Sequence, residues 1–175
     1  MKVRENHEII IDKYPFAGRL NSRLLSDAEG IDYSLSFKTN VKARMSDWRV
    51  KENDSFKVLQ KWIISLIQSK YDFPGYEIVF QDMWYARYDK NNYTQKHDHY
   101  LGWQSFVYFV KCPRGSSPLI FTTSGKRIKA EEGKVVIFPS TIWHSVPKNR
   151  CDDRVVVAGN TMLLSMPMIR RWSAQ

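Results

Sequence analysis

The alternation of apolar and polar positions changes character at Tyr76. Before it the signals are mixed. "EIIIDKY" (8–14) is a β-branched run that predicts a short strand, and "NSRLLSDAEG" (21–30) predicts a helix capped by Asn21 and closed by Gly30. Across 53–70, Phe56, Leu59, Ile63, Leu66 and Ile67 recur at helical spacing, behind a capping stretch from Asn53 to Ser55. "YDFPGY" stops that helix, and its apolar stripe is suited to packing on a sheet.

After Tyr76 the runs are short and rich in Val, Ile, Phe, Tyr and Thr: "YEIVFQDMWYARY", "WQSFVYFVK", "PLIFTT", "KRIKA", "KVVIF" and "RVVVAGNTMLL". Turn-forming segments such as "DKNN", "PRGSSP", "TSGK", "EEGK" and "KNRCDD" separate them. With no helical pattern between them, these runs predict an antiparallel sandwich or barrel of seven or eight strands. The expected organisation is a single domain over 1–175. An α/β support occupies about 1–75, with helices packed on the sheet, and a mainly β core occupies about 76–165.

Composition narrows the class. Hydrophobic residues make up 43% and aromatics 14%, enough for one compact core. No apolar run approaches the roughly 18 residues of a membrane span, and charges interrupt what would be an export signal at the N-terminus. A cytoplasmic location is expected, with Cys112 and Cys151 as reduced thiols. The formal charge of +9 is scattered through "VKARMSDWRVK", "SGKRIK", "PKNR" and "IRRW". That distribution fits a solubilising surface at least as well as a nucleic-acid footprint, and no nucleic-acid module is recognisable.

The chemistry concentrates in "QKHDHYLGW" and "FPSTIWHSVP". In a regular strand, residues i and i+2 share a face, so His97 and His99 can look into one cavity while Asp98 points away. His144 follows the strong strand "KVVIFPS" and is the natural third ligand. Neutral imidazoles suit iron, zinc, copper or nickel, and three of them leave coordination positions open for substrate. Arg154 opens the strand "RVVVAGN", where a buried guanidinium is costly unless an anion meets it.

In order, "HDH", "SFVYFV", "GKVVIFPSTIWHSVP" and "RVVVAGN" resemble the core of iron(II)- and 2-oxoglutarate-dependent oxygenases, in particular the small ones of bacteria and tailed phages. The resemblance runs from Trp84 to Leu164. It implies a double-stranded β-helix (jelly roll, cupin-like) and a hydroxylase that uses O2 and releases succinate and CO2. By that resemblance His97 and His144 are iron ligands, Arg154 holds the distal carboxylate of the cosubstrate, and Tyr88 and Ser105 line its pocket. A phage-encoded chain would act in the host cytoplasm.

The sequence departs from the family pattern where an acid usually stands two residues after the first histidine. Here it is His99, so either three imidazoles bind the iron or Asp98 swings in. Val156 replaces a helping serine, and Phe109 a cosubstrate-binding tyrosine. Two other readings stay open: a three-histidine cupin dioxygenase that does not use 2-oxoglutarate, and a non-catalytic jelly-roll module. The basic, polar loops "DKNNYTQK", "TTSGKRIK" and "SVPKNRCDD" suit an acidic peptide or nucleic acid as prime substrate.

Overall fold

A computed structural model describes residues 6–48, 50 and 53–165. Arg49, Lys51, the basic pair of "IRRW" and the first five residues lie outside the described residues. In chain order the elements are β1 (Ile10–Lys13), α1 (Ala17–Glu29), β2 (Val41–Lys42), β3 (Arg44–Met45), α2 (Asp54–Gln68), β4 (Tyr76–Tyr88) and β5 (Tyr93–His97). There follow β6 (Gln104–Lys111), β7 (Leu119–Phe121), β8 (Lys126–Ile128), β9 (Lys134–Pro139), β10 (His144–Val146) and β11 (Arg154–Ser165). No helix among the described residues is long and apolar enough to cross a membrane.

The strands form two antiparallel sheets. The larger has the order β1-β9-β6-β11-β4-β3 and the smaller β2-β5-β10-β7-β8. Together they make the double-stranded β-helix. Strands from the first 75 residues add an edge to both sheets, so the N-terminal part does more than carry helices.

The central strands of the larger sheet are buried on both faces, which is why they read as nearly continuous apolar runs. On β11, Val155 and Val157 join the helix-side core, and Val156 and Ala158 join the core between the sheets. On β4, Met83 and Tyr85 face the helices, whereas Trp84, Ala86 and Tyr88 face the smaller sheet. Strand parity therefore fixes the polar residues as well. Arg154 and Ser105 alternate onto the inter-sheet side.

Helix α2 packs Phe56, Leu59, Ile63 and Ile67 against the larger sheet with no exposed surface. Each such side chain contributes about 1.5–3 kcal/mol. Asn53 occupies its N-cap in an extended conformation without a side-chain bond, while the Ser55 hydroxyl donates to Asp27 of α1. Helix α1 begins a turn earlier than its sequence signature suggests, and Asn21 is an interior residue rather than a cap. Its amide donates to the Val110 carbonyl at 2.8 Å and accepts from the Tyr108 hydroxyl at 2.6 Å. This buried linkage captured an asparagine that local propensity assigns to a helix start. Gly30 closes the helix as expected. Cys112 and Cys151 are free thiols.

Candidate metal centre and anion cradle

Strands β5 and β10 lie side by side in the smaller sheet, with His144 directly opposite His97. Their ring centroids are 4.3 Å apart. Each ring is fixed in the same way. Nδ1 of His97 lies 2.8 Å from the carbonyl oxygen of Gln95, and Nδ1 of His144 lies 2.9 Å from that of Ile142. A carbonyl only accepts, so Nδ1 carries the hydrogen and Nε2 is left with a lone pair, the form in which imidazole binds a metal.

His99 joins them by a different route from the one strand alternation predicts. β5 ends at His97, and His99 stands in the following loop. Its backbone N–H donates to the Ser140 carbonyl at 2.8 Å, and its own carbonyl accepts from Gly102 at 2.8 Å. The loop crosses the segment after β9 very closely. A Cβ on Gly102 would fall 2.7 Å from the Ser140 hydroxyl, so any larger residue there would push the Ser140 side chain aside. Donor atoms of the three histidines all lie within 4.8 Å of one another, and no carboxylate belongs to the group. Asp98, considered above as an alternative ligand, is outside it.

Burial governs the charge of these rings. Loss of water lowers the pKa of all three. It takes His99 down to about 4 and His144 to about 3, with the neighbouring His97 adding to the effect. All three are neutral near pH 7, as metal ligation requires.

Arg154 opens β11 with only 1% of its surface exposed, opposite Tyr88 in the strand register. Its guanidinium carbon sits 4.6 Å from the centre of the Tyr88 ring and 5.5 Å from that of Phe109. Both contacts are cation–π interactions and use none of its N–H groups as hydrogen-bond donors to oxygen or nitrogen. None of Nε, Nη1 and Nη2 has a hydrogen-bond partner. The adjacent Asp153 is not available, because its carboxylate is paired with Arg87 and Lys111. Tyr88 is itself anchored through its hydroxyl to Thr94, at 2.7 Å.

The three histidines, Arg154, Tyr88 and Ser105 all line one cavity between the sheets. All six residues singled out in the sequence therefore meet. Apolar side chains such as Val41, Leu119, Phe138 and Val156 complete the walls. A buried unpaired guanidinium is destabilising by itself, and an anion entering the cavity would offset that cost. A doubly charged acid reaching from the guanidinium to an ion on the histidines suits the donor set.

Sequence reasoning missed the polar residues behind the triad. Asn160 on β11 is 5% exposed, accepts from the Ser105 hydroxyl at 2.7 Å and donates to Asp82 at 2.8 Å. The Ser105 and Ser140 hydroxyls are 2.9 Å apart. The available signal was an amide side chain, Asn160, in the middle of the largely apolar run "VVVAGNTMLL".

No family model matches the chain, and no curated protein matches it in sequence. Solved structures do match. Viral collagen prolyl hydroxylase from Paramecium bursaria Chlorella virus-1, in its 2-oxoglutarate complex, is 15% identical. That match covers 90% of this chain and 96% of the other, with a TM-score of 0.67. A Pseudomonas putida prolyl-4-hydroxylase is 18% identical over 89% and 92% of the two chains, with a TM-score of 0.65. HygX from Streptomyces hygroscopicus, with nickel and 2-oxoglutarate bound, is 10% identical over 88% and 82%, with a TM-score of 0.68. In fold, this chain resembles the 2-oxoglutarate- and iron(II)-dependent oxygenases.

Proposed function

We propose that this chain is an iron(II)- and 2-oxoglutarate-dependent oxygenase, a hydroxylase that consumes O2 and releases succinate and CO2. The observation that carries the reading is Arg154: a fully buried cation without a partner, in the same cavity as a histidine cluster. A cupin dioxygenase that ignores 2-oxoglutarate would have no use for it, and a structural jelly roll would gain stability by losing it.

In this reading His97 and His144 hold the iron through Nε2. Arg154 pairs with the far carboxylate of 2-oxoglutarate, stacked in place by Tyr88 and Phe109. Ser105 sits on the cavity wall beside them. Bound iron supplies activation of O2 and oxidative decarboxylation of the cosubstrate. The protein supplies placement, a dry apolar wall and neutral ligand rings. Lys96 and Trp143 stand beside the two ligands in sequence, with the ammonium 5.1 Å from the indole ring. An anionic prime substrate, an acidic peptide or a nucleic acid, is the class that the basic, polar loops "DKNNYTQK" and "SVPKNRCDD" favour.

The test is anaerobic titration of 2-oxoglutarate into protein loaded with iron(II), followed by the visible absorption of the chelated 2-oxo acid. Succinate is then quantified on admission of O2. Saturable binding and succinate formation are expected. Iron uptake without any response to 2-oxoglutarate would refute the proposal.

A further inference from the structure

The three rings of the cluster are not equivalent. His97 and His144 each give their Nδ1 hydrogen to the carbonyl two residues earlier. Nδ1 of His99 has no carbonyl to meet. Its neighbour, at 3.4 Å, is the side-chain nitrogen of Asn160. Which end of that amide faces His99 is decided elsewhere. Asp82 Oδ1 lies 2.8 Å from Asn160 Nδ2 and also receives the Asn160 backbone N–H at 3.0 Å. Turning the amide over would press its carbonyl oxygen against that carboxylate oxygen, two acceptors with no hydrogen between them. Ser105 reinforces the choice by donating to Asn160 Oδ1 at 2.7 Å. Asn160 therefore presents N–H to His99, Nδ1 of His99 must accept, and the hydrogen of the neutral ring resides on Nε2. A nitrogen that bears hydrogen has no lone pair for a metal.

The His97 and His144 rings are the tightest pair, 4.3 Å between centroids, and His99 lies 4.8 Å from His97 and 5.3 Å from His144.

We propose that the ion rests on His97 and His144 alone, and that His99 is a hydrogen-bond donor to an oxygen ligand on the ion, with Asn160 and Asp82 as the positioning residues that keep it so. The inference rests on the oxygenase reading only for the identity of the metal. It gives the missing acid of the family pattern a physical replacement: a coordination position left to an oxygen ligand, with an N–H beside it.

The test uses full-length protein with nitrogen-15-labelled histidines and zinc(II) as a diamagnetic probe. Long-range proton–nitrogen correlation spectra report, ring by ring, which nitrogen bears hydrogen and which is metal-bound. His97 and His144 are expected as Nδ1–H rings with zinc-shifted Nε2, and His99 as an Nε2–H ring without a zinc shift. Zinc affinity follows the same division. His99→Gln stays within about threefold of wild type, whereas His97→Gln or His144→Gln costs about 100-fold or more. Asn160→Ala releases His99, whose spectrum moves toward the Nδ1–H form. A zinc-shifted His99 in the wild type, or a loss in His99→Gln equal to that in His97→Gln, overturns the inference while leaving the oxygenase reading intact. If no zinc binds at all, the metal reading fails, and an Nδ1–H His99 in the metal-free spectrum would overturn the assignment of its tautomer as well.

Discussion

At the scale of single residues, the cavity joins an acceptor-poor end at Arg154 to a donor-rich end at the histidines. Replacing Arg154 separates the two roles of a buried cation. Arg154→Met should raise the stability of the ligand-free protein by about 1–3 kcal/mol, because an unpaired charge leaves the core. The same change should weaken 2-oxoglutarate binding by about 10- to 100-fold, the worth of a lost charge-assisted pair. Urea unfolding with and without 2-oxoglutarate reads both effects. A variant that is destabilised and still binds the cosubstrate normally would contradict the cradle. His99→Asp probes the other end. A carboxylate there adds a negative ligand to two neutral ones, so iron(II) should bind more tightly than in wild type, as measured by competition with a chelator.

Much of this was readable from residue types. H-x-H, a third histidine after a strand that stops at Pro139, and an arginine opening a β-branched strand are chemically unusual positions. Alternation along one strand does not bring His99 in. A loop threaded past Ser140 does, and that depends on a close backbone crossing between segments some 40 residues apart (99 to 140) that periodicity cannot reveal. The hydrogen-bonding partners Asp82 and Ser140 were illegible for the same reason. Each is an ordinary polar residue until the third dimension places it.

At the scale of elements, β4, β6, β9 and β11 matched their sequence runs closely because burial on both faces leaves a long apolar signature. The smaller sheet was harder. β10 is three residues long and β2 only two, too short to show any period. Helix α1 illustrates the opposite failure, where tertiary structure overrode a good local rule. Asn21 serves the Tyr108 hydroxyl and the Val110 carbonyl, both in buried residues. Asn21→Ala should therefore cost about 2–3 kcal/mol in chemical denaturation, more than the loss of an exposed cap would. An effect below about 0.5 kcal/mol would show that the linkage contributes little.

For the molecule as a whole, three desolvated imidazoles make stability depend on pH. An unfolded histidine takes up its proton near pH 6.5, and the folded rings resist protonation well below that, His99 to about 4 and His144 to about 3. The unfolded chain thus binds more protons in this window, and acid favours it. Metal-free protein should be most stable above about pH 6.5. It should lose stability as pH falls toward 4, His99 and His144 each contributing about 1.4 kcal/mol per pH unit and His97 acting in the same direction. Urea midpoints at pH 7, 6 and 5 measure this, and His144→Gln should flatten the slope by one ring's share. A slope unchanged in that variant would mean that His144 is hydrated in the folded protein.

The facing register of His97 and His144 has a mechanical corollary. An ion shared by those two rings is a clasp across adjacent strands of the weaker sheet, closing the stretch of chain between them. The larger sheet has ladders long enough to hold by itself. Loading with metal should therefore slow amide exchange chiefly in β5, β10 and their neighbours, so that the ion which equips the pocket also finishes building its wall.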